Sequence, residues 1–347
     1  MVTSEEVAVL TRQLSTLLSA GVHVSHALEV IANGAEREEV HDLVVDLGRF
    51  VSQGNYLSNA LRKHSDVFPE VYVSLIRTGE KSSSLTVALD RLATWMERDV
   101  ATRKRVKSAL IYPGFILAMT GVFVFLIFHS VLPGLLKGFA ESKEPLPLIT
   151  QVVAWVASLT EKPVLLLLIF VGTLVSLRQL RNYFKTREGQ RELFRRLHAV
   201  PVLSGLTISL AMSRYCSSMQ TMLAAGLNLI QCLELSAASC GHPLVADDLL
   251  RAVADMRTQG NTLVDSLEYA EYLPSSAVHL LSAGEESGAL DAMYRTLARY
   301  YDEEVSYKLD TLSSLLEPAL LLLVSLIVGT VLIAVFLPLY SRLGQLG

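Results

Sequence analysis

LIRTGEKSSSL occupies Leu75–Leu85, and LLSAGEESGAL occupies Leu280–Leu290. The second stretch lies 205 residues beyond the first. The same offset pairs Leu18-Ser19-Ala20-Gly21 with Leu223-Ala224-Ala225-Gly226, Pro69 with Pro274, Pro113 with Pro318, and Pro133 with Pro338. One offset running through landmarks this scattered marks an internal duplication. A repeat of this kind constrains the architecture before any other reading is made.

Each copy reads as helical. Val7, Leu10, Leu14, Leu17 and Leu18 recur at helical spacing, and their counterparts Met212, Tyr215, Met219, Met222 and Leu223 are all apolar. Gly21 and Gly226 stand just past the end of this first helix, where positive φ is needed. A second helix follows through Ala27-Leu28-Glu29 and Cys232-Leu233-Glu234, then a third, then a glycine break at Gly54-Asn55 and Gly260-Asn261. Leu57 and Leu61, with Leu263 and Leu267, restart the pattern, and Pro69 and Pro274 open the next helix. That helix is expected to end at Gly79-Glu80 and Gly284-Glu285.

A long last helix then starts near Leu85 and Leu290, with Leu89, Leu92, Trp95 and Met96 as its buried face in one copy and Tyr294, Leu297, Tyr300 and Tyr301 in the other. Pro113 and Pro318 fall where it meets an apolar run, and a proline there either starts a new helix or kinks a continuous one. Alternating apolar and polar runs are absent, so no strand is expected.

The chain of 347 residues is half hydrophobic, with a mean hydropathy of +0.40. The excess is local. Ile111 to Leu132 carries no charged residue and only His129 as a group that titrates near neutral pH, and Pro318 to Tyr340 carries neither. Both runs are long enough to cross a bilayer as helices, and a soluble core rarely needs such uncharged stretches. Pro163 to Leu180 is a third candidate, with Arg178 reaching to the interface. The apolar stretch Leu146 to Leu159, with Trp155, is read as an amphipathic helix on the outer membrane surface. The first hydrophobic span begins only at Ile111 and the N-terminus is mildly acidic, so no signal peptide is expected.

Lys and Arg set the expected topology. Arg98, Arg103, Lys104, Arg105 and Lys107 precede the first span, and Arg178, Arg181, Lys185, Arg187, Arg191, Arg195 and Arg196 follow the second. Residues 1–110 and 181–317 are therefore expected in the cytoplasm as helical bundles. Spans are expected at 111–133, 163–180 and 318–340, with an outer loop over 134–162 and an outer tail over 341–347. The expected fold class is an all-α membrane protein, with two duplicated antiparallel helical bundles of roughly six helices each and three transmembrane helices. The net charge of −4 is unevenly spread: residues 197–317 hold six Lys or Arg against fifteen Asp or Glu.

Signs of catalysis are lacking. There is no G-x-x-x-x-G-K-[ST] loop, and Gly284 to Gly288 is glycine-rich without a following lysine. Cys216, Cys232 and Cys240 form no C-x-x-C pair and, being odd in number, argue against a zinc site and against structural disulfides. His23 and His26 have a spacing that suits a metal, but the other copy has Asn228 and Gln231 there, which favours a solvated pair. His129 is either a proton relay or, more simply, a ring reaching the interface or a neighbouring helix. No metal, cofactor or catalytic residue is expected. Glu80 and Glu285, each followed by Ser82 or Ser287, are read as caps on the next helix's free N–H groups, with an ion site or bundle contact as the sharper alternative.

The chain resembles the type II secretion F protein and type IV pilus assembly platform family. The resemblance rests on L-x-x-L-L-x-A-G at Leu14–Gly21, G-x-x-L-x-x-x-L at Gly54–Leu61, G-E-x-S-x-x-L at Gly79–Leu85 and the juxtamembrane Pro113. It rests equally on their partners at Met219–Gly226, Gly260–Leu267, Gly284–Leu290 and Pro318. The first copy departs from the second in having Ser83 where Gly288 stands. The resemblance implies a non-enzymatic platform in the bacterial inner membrane, at the base of a pilus or pseudopilus. It implies as partners a cytoplasmic hexameric assembly ATPase, pilin or pseudopilin subunits, other inner-membrane assembly proteins and a second copy of the chain. No direct nucleic-acid contact is implied. Gly21, Gly79, Glu80, Ser82, Pro113, Gly226, Gly284, Glu285, Ser287, Gly288 and Pro318 are the expected structural or interaction residues. The alternatives are a transporter or channel, which would need charged groups within the spans or inverted repeats, and a membrane-anchored helical scaffold, which would bind no pilin.

Overall fold

The structure, a computed structural model, describes residues 2–131, 148, 150–153, 155, 163–184 and 186–343. Among them there is no strand. The first copy comprises α1 (Ser4–Ser19), α2 (Val24–Asn33), α3 (Glu38–Ser52), α4 (Leu57–Lys63), α5 (Glu70–Lys81) and α6 (Leu85–Leu126). A π-type turn, Ile127–Val131, closes α6. Then come α7 (Pro163–Tyr183) and α8 (Arg187–His198), followed by the second copy: α9 (Pro201–Ala224), α10 (Leu229–Ser239), α11 (Pro243–Gln259), α12 (Leu263–Leu267), α13 (Ser275–Glu286) and α14 (Leu290–Leu343).

The chain divides into two compact units. Residues up to 106 and 191–308 form one, and the described residues of 107–190 and 309–343 form the other. The two copies' short helices therefore belong to a single unit.

The cores follow the repeat. Val7, Leu10 and Leu14 are buried on α1, and Met212, Tyr215 and Met219 on α9. Leu57 and Leu61 match Leu263 and Leu267, all at most 3% exposed. The polar content of the two cores differs. Tyr72 is buried in the first copy with its hydroxyl 2.9 Å from Thr11 Oγ1. The positions matching Thr11 and Tyr72 are Cys216 and Ala277, and the buried hydroxyl pair is instead Tyr215–Tyr294 at 2.7 Å. These replace Leu10 and Leu89, so the second core moves its hydrogen bond rather than dispensing with it.

On the rim of the first copy, Arg12 Nε and Nη2 donate to the Glu97 carboxylate at 2.7 and 2.8 Å. Arg12 Nη1 donates to Asp90 at 2.7 Å, which ties α1 to α6. The expected buried face of the last helix holds for Leu89, Leu92, Met96, Tyr294, Leu297 and Tyr301, but Trp95 is half-buried and Tyr300 is exposed. Cys216, Cys232 and Cys240 are free and buried. Burial pushes the Cys232 thiol up to about 12, which leaves it protonated and unreactive at neutral pH.

α8 docks on the second copy through aromatic rings. Phe194 lies 4.3 Å from the ring of His242, and His198 meets Tyr272 edge-on at 5.4 Å. Arg191 adds an ion pair to Asp247 at 2.8 Å. His242 is 2% exposed and caps α11, its Nδ1 accepting from Val245 N at 3.3 Å.

In the other unit, the 18-residue apolar window of α6 has none of its residues buried, and that of α14 has 11%. A core helix would hide such a face, so these two helices have both the length and the exposure of membrane spans. α7 is helical from Pro163 to Tyr183. Most of the outer loop expected over 134–162 lies outside the described residues. Of its expected surface helix, Leu148, Thr150–Val153 and Trp155 are helical, and Thr150 Oγ1 donates to the Ala334 carbonyl at 2.9 Å.

Candidate functional site

The duplicated G-E-x-S corners are built alike. α5 and α13 do not stop at Gly79 and Gly284. Each runs two residues further, to Lys81 and Glu286. The chain then turns through a Schellman closure, in which Ser84 N donates to Gly79 O and Ala289 N to Gly284 O, both at 2.8 Å. Positive φ falls on Ser83 (53°) and Gly288 (67°), not on the glycines of the G-E pair. Gly79 and Gly284 serve a different need. A Cβ on Gly79 would lie 2.6 Å from Ala88 Cβ, and one on Gly284 would lie 2.5 Å from Met293 Cγ. Ala88 and Met293 are themselves a repeat pair. The missing side chain lets α5 pack on α6, and α13 on α14, at the tightest point of each hairpin.

The two acids act backward along the chain, which corrects the expectation that they cap the following helix. Glu285 accepts from Leu263 N at 2.8 Å and Val264 N at 2.9 Å. These are the first two N–H groups of α12. Glu80 accepts from Ser58 N at 3.3 and 3.4 Å and from Ser58 Oγ at 2.6 Å, at the start of α4. A helix start carries unpaired N–H groups and the positive end of its dipole, and a carboxylate satisfies both. Ser82 and Ser287 turn to their own helices, donating to Thr78 O at 2.8 Å and Ala283 O at 2.6 Å. Among the described residues there is no cluster of three or more metal-ligating side chains. His23 and His26 are engaged locally, with Ser25 at 3.0 Å and Glu29 at 3.2 Å.

Ser83 carries a strain that Gly288 avoids, because a Cβ at positive φ crowds the backbone. Ser83→Gly is expected to stabilise the first corner by about 0.5–1 kcal/mol, after allowing for the extra freedom of glycine in the unfolded chain. Slower hydrogen exchange at the Ser84 amide is the readout, and faster exchange overturns the expectation.

Gly21 and Gly226 end α1 and α9 at φ 84° and 82°, as the sequence requires. Pro69 and Pro274 sit at the N-cap, one place before the first helical residue. Pro113 lies inside α6 and Pro318 inside α14, so of the two readings of a juxtamembrane proline the continuous helix is the one adopted. Each proline leaves the carbonyl four residues before it, on Ala109 and Ser314, without its helical donor. His129 lies in the π-type turn with its ring stacked on Phe125 at 5.7 Å.

Sequence reasoning missed how the two copies touch. Arg214 on α9 pairs with Asp99 on α6 at 3.2 Å. Arg105 donates to Ser306 Oγ at 2.8 Å, and Arg91 donates to the Ala224 carbonyl. The available signal was disagreement between the copies: Arg214, Arg105 and Arg91 stand opposite Val9, Asp310 and Thr296 in the repeat.

The model of the family described as type II secretion system protein F matches residues 10–133 and again 215–338, the two matches standing 205 residues apart like the motifs themselves. The chain belongs to the type II secretion system protein F family. Among its relatives is the type IV pilus assembly protein PilC of Pseudomonas aeruginosa, 28% identical over 97% of this chain and 89% of that protein. The type 4 fimbrial assembly protein PilC of Pseudomonas putida is 34% identical over 97% and 83%. The type II secretion system protein F of Pseudomonas aeruginosa is 26% identical over 97% and 83%. With the two exposed apolar helices, membership of this family marks a membrane protein of pilus and secretion machinery.

Proposed function

We propose that this chain is the inner-membrane platform of a type IV pilus or type II secretion machine. In this reading it couples a cytoplasmic assembly ATPase to the extraction of pilin or pseudopilin subunits and their assembly into a filament. It is multi-pass, with its N-terminus and both copies in the cytoplasm, α7 as the third span, and other inner-membrane assembly proteins and a second copy of itself as neighbours. It performs no chemistry of its own. The observation that carries the reading is the continuity of α6 and α14. Each begins in the hairpin corner of one copy and runs unbroken into an apolar, exposed stretch. A continuous helix resists bending and transmits displacement along its axis, as a lever between a gripped soluble part and the bilayer must.

Breaking that continuity is the test. Lys107→Pro and Leu312→Pro occupy matching places in the repeat. Each removes one helical hydrogen bond in an interior turn, at a cost of about 3 kcal/mol. In the native host, both variants are expected to insert at normal levels and to co-isolate with the ATPase, yet to lose filament assembly or secretion. Lys107→Ala is expected to retain it. Normal filaments from either proline variant overturn the lever reading. Failure of cysteines placed in each copy to crosslink to any assembly ATPase or pilin-like subunit overturns the platform reading itself.

A further inference from the structure

A cavity of about 250 Å³ lies where the two copies meet, walled by α6 on one side and by α9 and α14 on the other. Its charged lining is Arg98, Asp99, Arg103, Arg214 and Asp302, a net charge of +1. Asp99 is already engaged, by Arg103 Nε at 2.7 Å and by Arg214 at 3.2 Å. Asp302 accepts from Ser213 Oγ. The donors, by contrast, are under-used. Arg98 has no ion pair among the described residues. Arg214 Nε is buried and, among the described residues, makes no aligned hydrogen bond despite its proximity to Asp99. Ser217 is 6% exposed, lines the cavity, and its Oγ has no hydrogen-bond partner among the described residues. A buried hydroxyl without a partner costs about 1–3 kcal/mol, a cost that an acceptor entering the cavity would relieve.

Gly241, at φ 76°, leaves no Cβ where Arg214 Nη1 passes, so the guanidinium has room beside it. Of the cationic wall only Arg103 is repeated, as Lys308. Arg98 and Arg214 stand opposite Glu303 and Val9, and Ser217 opposite Arg12. The site therefore belongs to the contact between the copies and not to either copy alone.

We propose that this cavity binds the phosphate group of a soluble small molecule, held by Arg98 and Arg214 and by the hydroxyl of Ser217. The guanidinium fork matches phosphate oxygens in geometry and charge. A tetrahedral oxyanion offers acceptors in three directions, as donors arriving from α6 and from two turns of α9 require, whereas a planar carboxylate offers two oxygens in one plane. The cavity is smaller than those that enclose drug-sized ligands, which run from about 300 Å³ upward. It therefore suits a phosphate with little attached, or the phosphate end of something larger. Because Arg98 lies on one copy and Arg214 and Ser217 on the other, a bound phosphate bridges the copies.

The test uses the full chain in phosphatidylcholine nanodiscs, with inorganic pyrophosphate as the probe and titration calorimetry as the readout. Saturable binding of one pyrophosphate per chain is expected, with acetate at matched ionic strength giving none. Arg98→Gln is expected to weaken binding at least about tenfold, as loss of a charge-assisted fork should, and Ser217→Ala several-fold. Arg62→Gln, on exposed α4 surface, is expected to bind like the parent. Arg98 is exposed, so its variant should fold normally, and unchanged circular dichroism would establish this. The proposal is overturned by no saturable binding, by equal binding of acetate, or by variants that bind as tightly as the parent. None of these outcomes depends on filament assembly, so the proposal stands or falls apart from the platform reading.

Discussion

Glu285→Ala is expected to weaken the start of α12 by about 2–3 kcal/mol, because it removes two charge-assisted hydrogen bonds and strands two partly buried N–H groups. The loss is local. Amide exchange at Leu263 and Val264, the two donors to the carboxylate, should accelerate by about two orders of magnitude. The rest of the second copy should respond less. Glu285→Gln keeps an acceptor without the charge and should fall between. Glu80→Ala should cost about 1–3 kcal/mol and act at Ser58 alone, whose backbone contacts to the carboxylate are longer at 3.3 and 3.4 Å but whose hydroxyl bond is short at 2.6 Å. Unchanged exchange at Leu263 and Val264 in Glu285→Ala would show that the carboxylate is incidental to the corner.

The second large effect depends on pH. His242 is buried among Phe194, His198 and Tyr272, and burial, with the nearby His198 charge, pulls its imidazole from the ordinary 6.5 down to about 4. In the native chain it is the neutral ring that accepts from Val245 N. Between pH 6.5 and 4 the unfolded chain therefore binds a proton that the folded chain does not. Stability linked to this residue is fully present above 6.5 and is lost as the pH falls toward 4. At 1.36 kcal/mol per unit, the swing is about 3 kcal/mol. His242→Asn retains an N-cap acceptor and cannot titrate. Relative to this variant, the parent should lose about 3 kcal/mol of stability over that window in paired urea titrations. Parallel pH profiles for the two proteins would remove His242 from any role in acid sensitivity.

What was legible in the sequence is what depends on local chemistry. Helical spacing gave the buried faces of α1 and α9, and the glycine at a helix end gave the positive φ at Gly21 and Gly226. The family model's paired matches follow the same offset as the motifs. The role of Glu80 and Glu285 was hidden because their partners lie about 20 residues back in sequence, on a helix that returns to the corner only in three dimensions. Gly79 and Gly284 were recognised as a motif, but packing at Ala88 and Met293, not backbone freedom, explains them. Tyr300 was misplaced because an aromatic at helical spacing reads as core even when it lies at the edge of the buried stripe. The contact between copies had no periodic signal, since it is made by residues that differ between them.

The asymmetry of this contact bears on how such a chain evolves. Two identical subunits related by a two-fold axis must make every contact twice, and each change in one is imposed on the other. Here the two copies share one polypeptide, and Arg214 meets Asp99 once, because Val9 stands at the place where a second arginine would be needed. Fusion has freed the halves from reciprocity. A substitution in one can be answered in its neighbour without a mirrored cost, and the joined pair acquires a front and a back that no symmetric dimer of the ancestral unit possesses.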